Sequence, residues 1–434
     1  MLLHIGMADA YAMAMEYVKM PEGEALLKQV LQFDQYYAHP RFPGLKSMYT
    51  DDTEMSCANA KVILEKGSSG TKLDYANAYV EEFIRGGKRK GYSKGFQAIL
   101  ESVNTGKELL SKLIPDSTKN GAAMRAVPFG VLPDVMSVIY AAGMQAAVTH
   151  DTREGVFSAR MVALMSHFSL YEDAPFSELS LYLKEHINWE AVEEFAHVFE
   201  QEYPYNRRVR DGKYSVAINT VHAVLTILKK EKTLIEMLRA VLTIGGDTDS
   251  VAALVWGIAS PRCREGSYHF VFMQEELELG SKETGAPYLL DLGKQLMIKY
   301  IDSPVQRLTL CGSGHHATHG KLMSKMWCWW LEVDGIVIMN RDKMLETGID
   351  IGKRGLEFMK KFRPFLPIDA EEGIVPPMGT GDWASYVFSL DRVKDCKGAE
   401  VVLREFFPKT ISQVIDGRPS MNTMKMSFTE EEVQ

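Results

Sequence analysis

The sequence predicts an all-α domain over residues 1–300 and a smaller mixed α/β region over 301–434. Three observations predict it. Apolar residues recur at helical spacing throughout the first three hundred positions, strand-like alternation is scarce there, and short aromatic and β-branched runs take over afterwards. A chain of 434 residues also exceeds one ordinary domain.

Taken in order, segments 54–66, 73–85, 135–148, 156–170, 189–201 and 215–230 each carry an apolar stripe of helical period. Gly67 and Gly86 stand where helix stops are expected. Leu234, Ile235, Leu238, Val241 and Leu242 form one helical face, ended by Gly245-Gly246. Val251–Ile258 is a further apolar helix. Beyond residue 300, the runs 327–333 and 336–339 flank Asp334-Gly335, a hairpin signal. Residues 386–388 and 401–403 read as further strands, 363–383 as a Pro- and Gly-rich loop, and 428–434 as a frayed acidic end.

Composition narrows the function. Hydrophobic residues make up 46% and charged residues 24%, so the chain can bury a sizeable core. A net charge of -8 argues against non-specific nucleic-acid binding, and the basic run Arg207–Arg210 reads as a solvated loop. Five scattered cysteines without a CxxC fit free thiols in a reducing cytoplasm. Asp9 and Glu16 interrupt the N-terminal apolar run, which excludes a cleavable signal, and no stretch reaches the ~18 apolar residues of a membrane span. The sequence leaves the oligomeric state open.

Two acidic motifs carry the chemistry: Thr50-Asp51-Asp52-Thr53 and Gly245-Gly246-Asp247-Thr248-Asp249-Ser250. Each opens an apolar helical run, so each alone is also readable as helix capping. Together they bring four carboxylates into the argument. Burying ionised carboxylates is costly unless a cation offsets them. Oxygen donors point to a hard divalent cation, two ions being expected, rather than to zinc. Asp247 and Asp249 lie two apart and would diverge on a regular helix, so they share an ion only if Gly245-Gly246 makes a turn.

Five segments in order resemble the ADP-ribosylglycohydrolase family. They are Gly6–Ala12 with the trailing Glu16, Tyr49–Met55, Asn120–Arg125, Thr149-His150, and Gly245–Ser250 with Ala252-Ala253. The resemblance covers roughly residues 1–298. It implies an orthogonal all-α fold around two Mg2+ or Mn2+ ions, with Thr50, Asp51, Asp52, Asp247, Asp249 and Ser250 as ligands. Asp51, Asp52, Asp247, Asp249 and Glu16 would be catalytic. Asp9, Asn120, Gly121, Met124, Arg125 and His150 would bind the ADP-ribosylated protein or ADP-ribose derivative. Ala8, Tyr11, Ala12 and the segment Ser260–Arg264 depart from the family pattern and bear on substrate choice.

The expected reaction is metal-dependent hydrolysis of the bond between ADP-ribose and a modified side chain, with arginine the first candidate. Alternatives are hydrolysis of a free ADP-ribose derivative or another nucleotide-linked ribose, and non-catalytic ADP-ribose binding. Arg125 also reads as a structural ion-pair residue, His150 as a helix-end histidine and Asp116 as a loop residue. The run Cys311–Gly320 reads as an irregular loop rather than a zinc site, Trp327, Trp329 and Trp330 as packing residues, and Gly379–Asp382 is too short for a phosphate loop.

Overall fold

A computed structural model describes residues 1–20, 23–204, 212–262 and 271–301. Beyond these it describes 308–315, 326–333, 336–337, 349–350, 357, 360–365, 383–389, 398, 401–402 and 405–406. The chain divides into two compact units, Met1–Met297 and Ile298–Gln434.

The first unit is helical. Its principal helices are Leu2–Ala12, Asp51–Lys66, Lys72–Arg85, Val135–Ala146, Arg153–Tyr171, Val216–Lys230, Leu234–Ile244 and Thr248–Ala259, and the helix Ala286–Tyr300 runs across its boundary. Among its described residues the one β-type contact is an isolated bridge between Asp116 and His150. Thr248–Ala259 runs through the middle and every residue of it is buried. It packs on Leu2–Ala12, Leu234–Ile244 and Val216–Lys230. A helix apolar on all sides is stable only when so surrounded.

The helix starts show how local sequence sets up the site. Thr71, Asp134, Thr152, Ser215 and Thr233 cap their helices with side-chain bonds to backbone N–H groups. Thr50 and Asp247 occupy the same position before Asp51–Lys66 and Thr248–Ala259, yet neither caps. Their oxygens are turned elsewhere, and the capping reading of both motifs falls.

One helix prediction is corrected. Segment 189–201 forms two short helices, Trp189–Glu194 and Ala196–Glu200, broken at Phe195. The buried Phe195 ring packs on Phe157 with centroids 4.5 Å apart, and seating it bends the chain.

In the second unit five strands form one antiparallel sheet: β1 Leu308–His315, β2 Met326–Val333, β3 Ile336–Val337, β4 Ile349–Asp350 and β5 Trp383–Ser389. The order is β3-β2-β1-β5, with β4 on β2. Val333 pairs with Ile336, which leaves a two-residue connection; Asp334 and Gly335 themselves lie outside the described residues. Two expectations are corrected here. Cys311–His315 belongs to a strand, not a loop, because β1 pairs on both sides and a register shift between Ser313 and Gly314 accommodates the glycine. Val401 and Val402 are helical: Val402 and Phe406, four apart, are buried while Val401 is exposed. Arg207–Arg210, residues 316–320, 379–382 and 428–434 lie outside the described residues.

Among the described residues no helix is long and apolar enough to cross a membrane.

Candidate active site

Asp9, fully buried on the first helix, organises the first motif. Its carboxylate accepts from Thr50 N and Oγ1 at 3.0 Å and from Thr53 N and Oγ1 at 3.2 and 2.6 Å. Thr50 Oγ1 also lies 3.2 Å from Asp52 Oδ2. Asp9 therefore holds the N-terminus of Asp51–Lys66 in place, with both its oxygens committed to that task.

The second motif is built on a left-handed turn. Gly245 and Gly246 adopt φ of 69° and 86°, a path side chains disfavour. It leaves Asp247 outside the helix at φ -82°, ψ 69°. The condition for Asp247 and Asp249 to face one point is thus met. Glu16 joins them: one oxygen each from Glu16, Asp247 and Asp249 lies within 4.8 Å of the others. Tyr17 Oη and Asn120 Nδ2 donate to Asp247 Oδ2 at 3.0 and 3.2 Å, and Tyr17 N donates to Gly246 O at 2.7 Å. Ser250 lies near the Asp52 carboxylate and works against the burial that raises its pKa.

Electrostatics match this crowding. Burial, followed by the charges of Asp247, Asp51 and Asp9, pushes Glu16 up to about 8. Burial first, and neighbouring carboxylates second, raise Asp51 to about 7 and hold Asp52 and Asp249 well above the usual carboxylate range. Asp9 rises to about 6 through burial, opposed by its threonine bonds. Asp52 Oδ1 and Asp249 Oδ1 are buried without a hydrogen-bond partner. Orphaned buried carboxylate oxygens in an all-oxygen donor set fit a hard divalent cation.

A pH experiment follows for the chelated protein. Folded Glu16 keeps its proton to about pH 8, while the unfolded carboxyl releases it near 4.5. Wild type and Glu16→Gln should therefore match below about pH 4.5. Wild type should then lose stability relative to Glu16→Gln as pH rises toward about 8, and level off above it. The variant difference cancels His4 and His150, which burial keeps neutral and whose effect runs the other way. Denaturant midpoints across that window are the measurement, and a constant difference contradicts the assignment.

Beside the cluster lies a cleft of about 380 Å³ lined by Asp51, Asn120, Gly121, Met124, Arg125 and His150, among others. Arg125 is 1% exposed, and protein partners occupy it. Its Nε donates to Gln145 Oε1 at 2.6 Å, its Nη2 to Gln145 O at 3.2 Å and to Thr149 Oγ1 at 2.8 Å, and it stacks over Tyr79. Thr149 Oγ1 lies 2.6 Å from His150 Nδ1. With Arg125 donating to its oxygen, the threonine hydroxyl is free to donate to Nδ1, the arrangement that puts the imidazole proton on Nε2. Burial, then the charges of Arg125 and Lys119, lower His150 to about 3, so the ring is neutral. Gly121 lies flat on this ring, where an added Cβ would come within 2.7 Å of Cε1. Thr149→Val should destabilise the fold by ~1–3 kcal/mol by stranding an arginine donor. It should also convert the single Nε2–H tautomer into a mixture; an unchanged imidazole ¹⁵N pattern would refute the relay.

The structure thus brings Glu16, Asp247 and Asp249 into one cluster, with Asp52 coupled to it through charge and Asp51 facing the cleft. Asp51 and Asp52 do not share the 4.8 Å group formed among the described residues. Ala8 and Ala12 are fully buried in helix packing. Tyr11 Oη reaches Val30 O at 2.5 Å. Arg262 donates to the carbonyls of Ser169, in the last turn of Arg153–Tyr171, and of Ala174 just beyond it. Cys57 is a buried free thiol.

Sequence reasoning missed Tyr17 and His39. Tyr17 has φ 47°, a strained value for a tyrosine, and no sequence signal marks it. His39 Nδ1 accepts from Arg41 N and Phe42 N, so its Nε2 donates to Glu16 O at 2.9 Å and fixes the loop beside Glu16.

The helical fold and the acidic cluster define a candidate cation site, and comparison with known proteins gives the family. The family model for ADP-ribosylglycohydrolases matches residues 2–260, and the chain belongs to that family. Family membership makes it a hydrolase of ADP-ribose linkages. A solved structure titled "ADP-ribosylglycohydrolase-related protein complex" superposes with a TM-score of 0.51 at 20% identity, covering 68% of this chain and 94% of the other, which shows the fold. No curated protein sequence matches the chain.

Proposed function

We propose that the protein is a divalent-metal-dependent hydrolase that removes ADP-ribose from a modified protein side chain, arginine being the first acceptor to test. The observation that supports this reading most is the convergence of Glu16, Asp247 and Asp249, joined through the Asn120–Asp247 bond to a cleft walled by Asn120, Gly121 and the neutral His150. Asp51, Asp52, Asp247 and Asp249, with Thr50 and Ser250, would hold two Mg2+ or Mn2+ ions. Bound there, the ions supply positive charge that fixes a ribose diol and favours ionisation of a nearby water.

The chain's own residues do the rest. Cleavage at the ribose C1″ passes through an oxocarbenium-like state, which needs a protonated leaving group and a water nucleophile. Glu16 is the half-buried carboxyl of the cluster, and its raised pKa suits it to carry a proton near neutral pH. His150 offers Nε2–H to a diphosphate oxygen without adding a titrating charge. Arg125 acts as a positioning residue through Thr149, and Lys112 and Lys119, which line the cleft, are the cations placed to meet the diphosphate. Asp9 positions Thr50 and Thr53. Residues 301–434 would serve target choice as an accessory domain, in a cytoplasmic enzyme.

The test is release of ADP-ribose from an ADP-ribosyl-arginine protein after chelation, with Mg2+ or Mn2+ added back. Small ADP-ribosyl compounds form a parallel arm. Metal-dependent release from the protein supports the reading. Turnover confined to the small compounds replaces the substrate, and absence of both turnover and ion binding overturns the reading.

A further inference from the structure

A second cavity, about 400 Å³, lies in the first unit and shares no lining residue with the cleft. The segment around residues 149–152 separates them: Thr149 and His150 face the cleft, Asp151 and Thr152 face the cavity. Val156, Phe157, Ile187 and Phe195 give it apolar walls. Arg160 enters it from the Arg153–Tyr171 helix, half-buried.

Arg160 is the unusual group. Its Nε donates to Ile139 O at 3.3 Å, and among the described residues no carboxylate pairs with it. Its Nη2 lies against Gly143, where a Cβ would stand 3.1 Å away, so the guanidinium rests in a place a side chain would narrow. Burial alone lowers its basicity, with no carboxylate offsetting it. The other charges at the cavity are satisfied or outward. Arg153 pairs with Glu194 at 3.0 Å, Asp151 with Lys72 at 3.0 Å, and Glu190 is exposed. A guanidinium carries five N–H donors arranged for a planar oxyanion, and four of these have no protein acceptor among the described residues.

We infer that this cavity binds a small organic oxyanion, a carboxylate or phosphate monoester on an apolar body, with Arg160 making the forked contact. The volume lies in the range of small-molecule sites, and the apolar walls match a body rather than a bare ion. The binder would press on a segment tied to the cleft: Asp151 N bonds Pro115 O at 2.7 Å, and Thr152 Oγ1 bonds Ser117 O, a cleft residue, at 2.9 Å.

The experiment is calorimetric titration of the chelated full chain with phenyl phosphate, benzoate and inorganic phosphate. Saturable binding of phenyl phosphate or benzoate is expected, and the tighter of the two names the oxyanion. Arg160→Gln should weaken it at least ~10-fold. Ala191→Phe, which fills the cavity and keeps the guanidinium, should do the same and decides the matter should Arg160→Gln fail to fold. Asp247→Ala should bind as wild type does, so the result stands apart from the hydrolase reading. Absence of saturable binding, or equal binding by wild type and Ala191→Phe, overturns the inference.

Discussion

Asp249→Asn should lower ADP-ribose release by on the order of 10³-fold or more, and at the same time raise the stability of the chelated protein. The two effects share one cause. Asp249 is 4% exposed, its Oδ1 has no partner, and Glu16, Asp247, Asp52 and Asp9 all oppose its ionisation. A carboxylate so placed burdens the fold on its own and becomes favourable against a cation. Removing the charge relieves repulsion, worth ~0.5–2 kcal/mol on the scale of single stabilising changes. It also deletes a ligand, and Lewis-acid assistance is worth several kcal/mol of barrier, hence the thousandfold. Release of ADP-ribose with saturating Mg2+ or Mn2+ gives the first number, and urea midpoints in chelator at about pH 8 give the second. Retained turnover would show that Asp249 is no ligand. A less stable chelated variant would show that its carboxylate serves the fold.

Much of this site is legible in the sequence, for identifiable reasons. Helices announce themselves through apolar period and caps, so Leu234–Ile244 and its glycine stop are readable at sight. The double glycine before Asp247 signals the turn that lets two aspartates converge. Local signals reach no further than a few residues. That Glu16 meets Asp247, that Tyr17 steadies it, and that His39 fixes the Glu16 carbonyl are tertiary facts with no local trace. Arg125 illustrates the converse. The family resemblance implies a place for it in substrate binding and its residue type allows a structural ion pair, but neither reveals which acceptors the fold supplies, and here Gln145 and Thr149 are among them. Phe195 broke a helix whose period was correct, because an aromatic seat on Phe157 outweighed one turn of propensity.

The same blindness hid the support beneath the first motif, and it yields the largest stability effect. Arg89→Leu should cost ~3–5 kcal/mol, the range for breaking a buried ion pair from one side. Arg89 donates through Nε to Glu54 Oε1 at 2.8 Å and through Nη1 and Nη2 to Glu278 at 2.8 and 3.1 Å. Nη1 also reaches Tyr49 O at 2.7 Å, and the guanidinium stacks 3.9 Å from the Tyr49 ring centre. The side chains of Arg89, Glu54 and Glu278 are 5%, 0% and 3% exposed, so the leucine variant would strand two buried carboxylates. Lys90–Glu101, at 72% and 42% exposure, is the internal contrast, worth at most ~1 kcal/mol. Arg89→Lys should fall in between, because an ammonium cannot fork to both glutamates. The cluster also grips Tyr49 at N and O, one residue before Thr50, so its loss should weaken ion binding ~10–100-fold, as loss of support behind ligands does. Urea midpoints and ion titrations of Arg89→Leu, Glu54→Gln and the double variant check both parts. If the double variant recovers part of the stability, the share owed to Glu278 remaining lost, the stranded charge is the cause. If all three lose less than about 1 kcal/mol, water reaches the cluster and the buried-pair argument fails.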